Sequence, residues 1–526
     1  MPRVLISDKL SEDAVKIFES RGIDVTFEPG LGKDPEKLAS MIGDYDGLAI
    51  RSATKATAEI ISKGTNLKVI GRAGIGVDNI DIPTATAAGI AVMNTPFGNM
   101  ITTAEHAIAM MMSLVRQIPE ANRSTQDGKW EKSRFMGQEL HGKTLGLIGC
   151  GNIGSIVADR AQGLKMKVVA FDPFLTPERA VDLGVEAVDL DTLLARADII
   201  TLHSPLTDST RNIISAEAIA KTKPGIRIIN CARGGLVDEA ALLDALDRGH
   251  VAGAALDVFE EEPATNNPLF GRDDVVCTPH LGAATKEAQE NVAIQIAEQI
   301  SDYLLLGAVT NALNMASVSA EEAPRLKPYI ALAEKLGSMA GQIVSEGITG
   351  IDITYAGSVS ELNPEPMNAA ALAGVLRANL ADVNLVNAPS IAKDRGIKVK
   401  ETKANMSRHY DATIAVAITT ADGTHEFVGA LFGGEPRMVR LGDIRLEASF
   451  SPNMLFIRNE DTPGFIGALG GILSEAGINI ATFHLGRTEA TQEAIALVAA
   501  DGEVPGPVLE QIQGLSQVKA ALGLRF

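Results

Sequence analysis

The chain has no run of about 18 uncharged apolar residues, the length that a membrane-spanning helix requires, so no membrane role is expected. Cysteine is scarce: Cys150, Cys231 and Cys277 are the only three in 526 residues, and their spacing fits neither a disulfide framework nor a zinc site. A reducing, cytoplasmic setting is therefore expected. The N-terminus, Met1 to Asp8, turns directly into a strand-like pattern without a secretory apolar stretch. Aromatic residues make up only 4%. Positive charge is in deficit, with 47 Lys and Arg against 66 Asp and Glu and a net charge of −19. That balance speaks against nucleic acid as a partner. It also means that an anionic substrate has to be captured by a local basic cluster, against the global field.

What is abundant is glycine, alanine and aliphatic side chains, which suits α/β architecture, over a length that implies about three or four domains. The most informative segment is Gly149-Cys150-Gly151-Asn152-Ile153-Gly154. An apolar run, Thr144 to Ile148, precedes it and a helix-compatible run, Ser155 to Leu164, follows. A second apolar run, Lys167 to Phe171, then delivers Asp172, eighteen residues past Gly154. Strand, glycine turn, helix, strand and acid is the layout of a dinucleotide site. The first glycine permits the turn, the second lets backbone approach a pyrophosphate, and the third lets helix pack on strand. The helix N-terminus offers free N–H groups to the phosphates. Asp172 would accept from the adenosine ribose hydroxyls and repel a 2′-phosphate, and Pro173 and Phe174 bring no offsetting cation. NAD is the expected cofactor.

Strand–helix alternation begins before that unit. Val4 to Ser7, Ile23 to Phe27, Tyr45 to Ile50, Lys68 to Arg72 and Ile90 to Met93 have the pattern of buried strands, and Glu12 to Ser20 that of a helix. A long helix is expected from Ile101 to Ile118, ended by Pro119. After Asp172 come strands at Ile199 to His203, Ile226 to Cys231, Ala252 to Asp257 and Val275 to Thr278, then a helix from about Lys286 to Leu306. The expected fold is α/β: a Rossmann-type nucleotide domain (98–282) inserted in a flavodoxin-like substrate domain (1–97 and 283–315), with the ligand in the cleft between them. Val318 to Lys327 has the composition of a linker. An α+β intervening domain (316–452) follows, with a helical pattern over Ala331 to Ser345 and strands at Gly350 to Ala356, Thr413 to Thr420 and Glu426 to Leu431. The last unit, 453–526, has the βαββαβ order of a ferredoxin-like domain.

Three side chains at strand ends of the nucleotide domain carry the chemistry of hydride transfer. His280 can take the hydroxyl proton of an alcohol as it becomes a ketone, since its charge changes near neutral pH. Glu262 can stabilise the imidazolium and raise its basicity. Arg233 can hold an α-carboxylate with a forked pair of hydrogen bonds and polarise the carbonyl in the reverse direction.

Asn230-Cys-Ala-Arg-Gly-Gly-Leu-Val-Asp238, Gly253-Ala-Ala-Leu-Asp-Val-Phe259, Glu262-Pro263 and Thr278-Pro-His-Leu-Gly282 closely resemble the D-isomer-specific 2-hydroxyacid dehydrogenases. Val69-Ile-Gly-Arg-Ala-Gly-Ile-Gly-Val-Asp-Asn79, Met93-Asn-Thr-Pro96, Lys129-Trp130 and Phe135-Met-Gly137 add to it. The resemblance covers essentially the whole chain and is to the long members with an intervening domain and a C-terminal ACT domain. It implies Arg233 as carboxylate clamp, Glu262 as histidine partner and His280 as acid/base. It implies Asp257 near the nicotinamide, and cofactor contacts from Gly149, Gly151, Asn152, Ile153, Gly154, Asp172, His203, Ser204, Cys231, Ala232, Gly282 and Ala283. Gly74, Ile75 and Gly76 fall in its substrate loop.

The implied activity is NAD-dependent oxidation of D-3-phosphoglycerate to 3-phosphohydroxypyruvate, the first step of L-serine biosynthesis. A phosphorylated substrate suits the residues as well: Arg51 and Arg72 follow separate strands, and a phosphate needs more than one cation. Lys132 and Arg134, near Trp130, lie in a segment that the resemblance carries to a neighbouring subunit's site, and a homotetramer is the family expectation. Asn459, Asp461 and Asn479 match positions that bind serine in related enzymes, so L-serine is the expected effector. Arg437, Arg440 and Arg445 form a further candidate anion site. The alternatives are a dehydrogenase for an unphosphorylated acid such as glyoxylate, hydroxypyruvate or 2-hydroxyglutarate, and a non-catalytic NAD-sensing protein.

Overall fold

Short β-branched runs separated by amphipathic helices fold here into parallel sheets buried on both faces. The computed structural model describes residues 1–344, 347–406, 409–488 and 492–526. The chain divides into two compact units, Met1–Asn94 with Ile296–Phe526, and Thr95–Gln295. The helix Lys286–Leu306 runs across the division.

In the first unit, β1 (Arg3–Ile6), β2 (Asp24–Phe27), β3 (Gly47–Ile50), β4 (Val69–Arg72) and β5 (Ala91–Asn94) form a sheet of order β2-β1-β3-β4-β5. All its pairs are parallel, which is the flavodoxin-like order. One face buries Leu5, Leu48, Ile50, Ile70 and Val92 with surrounding aliphatics. Across the other, Ile296 and Ile300 lie against Gly71, where an added Cβ would come within 2.6 Å of Ile300.

The second unit holds β6 (Thr144–Ile148), β7 (Lys167–Phe171), β8 (Glu186–Ala187), β9 (Ile199–Leu202), β10 (Ile226–Asn230), β11 (Val251–Leu256) and β12 (Val275–Cys277). Their order is β12-β11-β10-β9-β6-β7-β8, again all parallel. The order reverses between β6 and β9, so the dinucleotide crevice of a Rossmann sheet falls there. Separate apolar clusters cover the two faces.

The remainder of the first unit carries two further sheets. The strands β13 (Gly350–Gly357), β14 (Lys398–Ala404), β15 (Ala412–Thr420), β16 (Gly423–Phe432), β17 (Glu435–Leu441) and β18 (Ile444–Ser449) make a mixed sheet, β14-β13-β15-β16-β17-β18. The strands β19 (Asn453–Glu460), β20 (Ile480–Thr488), β21 (Glu493–Ala500) and β22 (Val518–Arg525) make an antiparallel one, β20-β21-β19-β22, with two helices. That is the ferredoxin-like order.

Two local expectations are corrected. Pro119 does not simply end a helix: the first helix stops at Arg116, Gln117 turns left-handed at φ 55°, and Pro119 opens a second helix, Ile118–Gln126. Proline fits a first turn because its missing N–H has no partner to lose there. The stretch Val318 to Lys327 is not all linker, since a helix runs over Ala323–Ile343 with Pro324 in its first turn and Pro328 inside. Burial of Ala323, Leu326, Leu332 and Leu336 outweighs the one backbone bond that Pro328 removes. Ser345, the last residue of the helical pattern expected there, lies outside the described residues.

Candidate active site

The glycine turn is built as a dinucleotide cradle. Gly149 has φ +90°, and a Cβ on it would lie 2.7 Å from the His203 carbonyl, so only glycine fits. A Cβ on Gly154 would lie 2.1 Å from the Gly149 oxygen, which is the close helix–strand approach. A Cβ on Gly151 would meet no atom within 4 Å, so that side of the turn is open. Gly151 is the N-cap of the helix Asn152–Gly163 and no side chain caps it, so the first turn's N–H groups face that opening. Asn152 and Ile153 are its first two residues. Asp172 accepts from Cys150 N at 2.7 Å and from Phe174 N at 2.8 Å. A carboxylate has about four lone-pair sites, so it retains acceptors for a ribose. Across the switch point, the buried Nδ1 of His203 and Oγ of Ser204 have no hydrogen-bond partner. Burial pushes the His203 imidazole down to about 4, so it is neutral, with Nε2 2.9 Å from Thr201 Oγ1. An open glycine turn beside two orphaned buried polar atoms fits NAD.

The next three strands of this sheet end in the reactive groups. After β10, Asn230 shapes the turn: its Oδ1 accepts from Ala232 N and its Nδ2 donates to Arg233 O. Cys231 is buried and its thiol is pushed up by burial. Gly234 sits against the loop after β11, where a Cβ would be 1.7 Å from Phe259 O. In that loop Glu262 Oε1 accepts from Phe259 N at 3.1 Å, and Oε2 lies 2.7 Å from His280 Nδ1. His280 follows β12 and holds a left-handed backbone, φ 55°, an uncommon state for a non-glycine residue that attracts notice at functional sites. Its side chain is 52% exposed.

The electrostatics of the pair are reciprocal. The hydrogen bond to Glu262 raises the His280 pKa above its ordinary value, against burial and the Arg233 charge, which lower it. Burial would raise Glu262, but the bonds to His280 and Phe259 N hold it below the usual carboxylate range. Asp257 is fully buried. Its Oδ1 accepts from Thr278 Oγ1 and Leu281 N, and its Oδ2 from Gly282 N. Burial would raise it, yet His106, Thr278 and Leu281 N keep it low and charged. Asp257 thereby pins the loop that carries His280, and Gly282 and Ala283 continue that loop. Sequence inspection missed His106, whose Nε2 is 3.2 Å from Asp257 Oδ1.

In the first unit, Arg51 follows β3 and Arg72 ends β4. Asp8 Oδ2 accepts from Arg51 N at 2.6 Å, and Arg51 Nη1 donates to Lys9 O. Burial lowers the Arg51 pKa. Asn79 ties the two arginines' segments together: its Nδ2 donates to Arg51 O and Thr54 O, and its Oδ1 accepts from Arg72 Nε at 3.2 Å. A Cβ on Gly74 would meet Arg72 Nη1 at 2.2 Å. Asn94 Nδ2 donates to Ile75 O at 2.7 Å, which fixes the loop through Gly76. Asp8 and Asn79 were not singled out from sequence, although Asn79 closes the 69–79 motif.

Arg134 is held by Glu131 and Asp273 at 3.0 and 2.8 Å, while Lys132 is exposed and Trp130 is 87% exposed. Asn459 is buried on β19, with Nδ2 on Glu460 O and Oδ1 unpartnered. Asp461 is 3.6 Å from Arg487, and Asn479 Nδ2 donates to Asp501 at 2.7 Å. The three arginines of the candidate anion site are engaged separately: Arg440 with Glu426, Arg445 with His409 and Arg437 over the Phe432 ring. No helix among the described residues is long and apolar enough to cross a membrane.

Three family models match the chain: the NAD binding domain of D-isomer specific 2-hydroxyacid dehydrogenases over 108–282, the D-3-phosphoglycerate dehydrogenase intervening domain over 325–442, and the ACT domain over 453–517. A D-3-phosphoglycerate dehydrogenase of Synechocystis is 42% identical over 100% of this chain and 95% of its own. One of Bacillus subtilis is 42% identical over 98% of each. Among solved structures, D-lactate dehydrogenase from Aquifex aeolicus, complexed with NAD and lactic acid, matches 60% of this chain and 100% of its own, with 27% identity and a TM-score of 0.52.

Proposed function

The chain belongs to the D-3-phosphoglycerate dehydrogenases, a branch of the D-isomer-specific 2-hydroxyacid dehydrogenases, and from that premise we infer that it oxidises D-3-phosphoglycerate to 3-phosphohydroxypyruvate with NAD, the opening step of L-serine biosynthesis. The observation that carries the chemistry is the 2.7 Å His280–Glu262 pair, with Arg233 on the neighbouring loop that Gly234 packs against Phe259. NAD, when bound, supplies the hydride acceptor. Gly149, Gly151 and the first turn Asn152–Gly154 would hold its pyrophosphate and Asp172 its ribose, with His203, Ser204, Cys231 and Ala232 lining the crevice. Glu262 occupies Nδ1 of His280, so Nε2 takes the hydroxyl proton during oxidation and returns it during reduction. Arg233 grips the α-carboxylate and fixes the carbon that loses hydride. Arg51 and Arg72 take the phosphate, which carries close to two charges at neutral pH.

The ACT domain extends the reading to control. We place L-serine at Asn459, Asp461 and Asn479, supported by the unpartnered buried Oδ1 of Asn459. A homotetramer, in which the exposed Lys129–Arg134 segment serves a neighbouring subunit, and a cytoplasmic setting, in keeping with three free cysteines, complete the proposal. The test is initial rates of NADH formation over a panel of 2-hydroxy acids, with and without serine. Preference for an unphosphorylated acid would sink the substrate assignment.

A further inference from the structure

His106 stands on the helix Met100–Arg116, far in sequence from Arg233, Glu262 and His280. Its Nε2 lies 3.2 Å from Asp257 Oδ1 and 3.3 Å from Thr278 Oγ1. One turn on, Met110 Sδ accepts weakly from the same Thr278 hydroxyl at 3.6 Å. At the helix N-terminus Thr103 approaches Gly282, where a Cβ would lie 3.4 Å from Thr103 Cγ2. The helix therefore meets the His280 loop at both ends, Thr278 and Gly282. Asp257 joins them: it is fully buried, and two backbone N–H groups and one hydroxyl of that loop point at it. A buried carboxylate needs compensation for its lost hydration, and the His106 imidazole, on Thr278 Oγ1 and 3.2 Å from Asp257 Oδ1, brings a polar N–H from outside the loop.

We propose that His106 is a positioning residue: its Nε2–H bonds Thr278 Oγ1, which itself donates to Asp257, and faces the Asp257 carboxylate, so that it holds the Thr278–Gly282 segment that presents His280 to Glu262. The role fixes the tautomer: the Thr278 hydroxyl hydrogen is spent on Asp257, so its oxygen accepts, and an Nε2–H must face it and the carboxylate. It also accounts for a polar side chain on a helix whose neighbouring positions, Ala107, Met110 and Met111, are core. A cavity of about 490 Å³ lined by His106, Met110, Cys277 and Thr278 opens beside the imidazole. The titratable and charged groups around His280 are Glu262, Asp257 and Arg233. Those around Asp257 are His106, Cys231, Glu262 and His280.

The proposal rests on the dehydrogenase reading, and the experiment separates the two. Wild type, His106→Leu, His106→Gln and His106→Asn are compared in the full chain. Hydrogen bonds to charged groups are worth enough that losing this one should lower kcat by about 10- to 100-fold. His106→Leu should show that loss while NADH still binds through the glycine turn, read by fluorescence. In the free protein, the His280 NMR titration, assigned with His280→Gln, should fall towards an ordinary histidine. The amide nitrogen of Gln reaches the Nε2 position and that of Asn does not, so Gln should restore kcat and the titration while Asn should not. Should the leucine variant fail to fold, the Gln–Asn contrast carries the test alone. Equal behaviour of Gln and Asn, or a leucine variant with wild-type kcat and an unmoved titration, overturns the proposal. A wild type that turns over none of the 2-hydroxy acids fails the dehydrogenase reading instead, and the NMR arm still decides the positioning role.

Discussion

Adding one methyl group at Gly234 should uncouple the catalytic groups from one another. The Cβ of Gly234→Ala would stand 1.7 Å from Phe259 O, 2.3 Å from its carbonyl carbon and 2.9 Å from Glu260 N. All three are backbone atoms, so no flexible side chain can move aside. The two loops must part by roughly 1 Å or more, and a displacement of that size near reacting groups can cost about a hundredfold in rate. The direction follows from the chain: Phe259 N anchors Glu262 Oε1, Glu262 anchors His280, and Arg233 is the residue before Gly234. The overpacking itself should cost about 1–3 kcal/mol, or about 2–4 °C in Tm per kcal/mol for a unit of this size. The glycine turn and Asp172 are untouched, so NADH should still bind, with at most a modest loss from the Cys231–Ala232 side of the crevice. Steady-state kinetics, thermal unfolding and NADH fluorescence test each part. A variant with wild-type kcat would refute the claim that contact between these two loops sets the catalytic geometry.

Two further outcomes follow from the charges. Glu262 raises the His280 pKa, and oxidation uses the neutral imidazole, so the acid limb of kcat/KM should lie above an ordinary histidine's range. Glu262→Gln should move that limb to lower pH while reducing kcat; an unmoved limb would exclude the pairing as its cause. Arg72→Ala should raise KM for D-3-phosphoglycerate and barely affect 2-hydroxyglutarate, and equal losses on both would remove the phosphate role.

Local signals were legible in the sequence because they depend on neighbours along the chain. The glycine turn and Asp172 are set by one strand–turn–helix–strand unit, and Arg233, Glu262 and His280 each come after a largely apolar strand. The strand pattern of both parallel sheets was legible for the same reason, except for the edge strand β8, two exposed residues with no apolar pattern to mark it. What was hidden depends on distant partners. His106 is one polar residue on an apolar helix, and nothing in its spacing announces Asp257. Asp8 and Asn79 act by bonding backbone groups after other strands. The strand β14, Lys398–Ala404, is almost wholly exposed, so it lacks the alternation that marks a half-buried strand. Pro119 misled because proline reports on a missing N–H, whose cost depends on its place in a helix.

The central claim is that the His280 imidazole moves the substrate's hydroxyl proton. Its most direct test is NADH formation from D-3-phosphoglycerate by His280→Ala, with NADH binding measured on the same sample. Turnover should fall by about 10²- to 10⁴-fold, the usual contribution of a general base, with cofactor affinity preserved. Turnover near that of the unaltered protein would contradict the account.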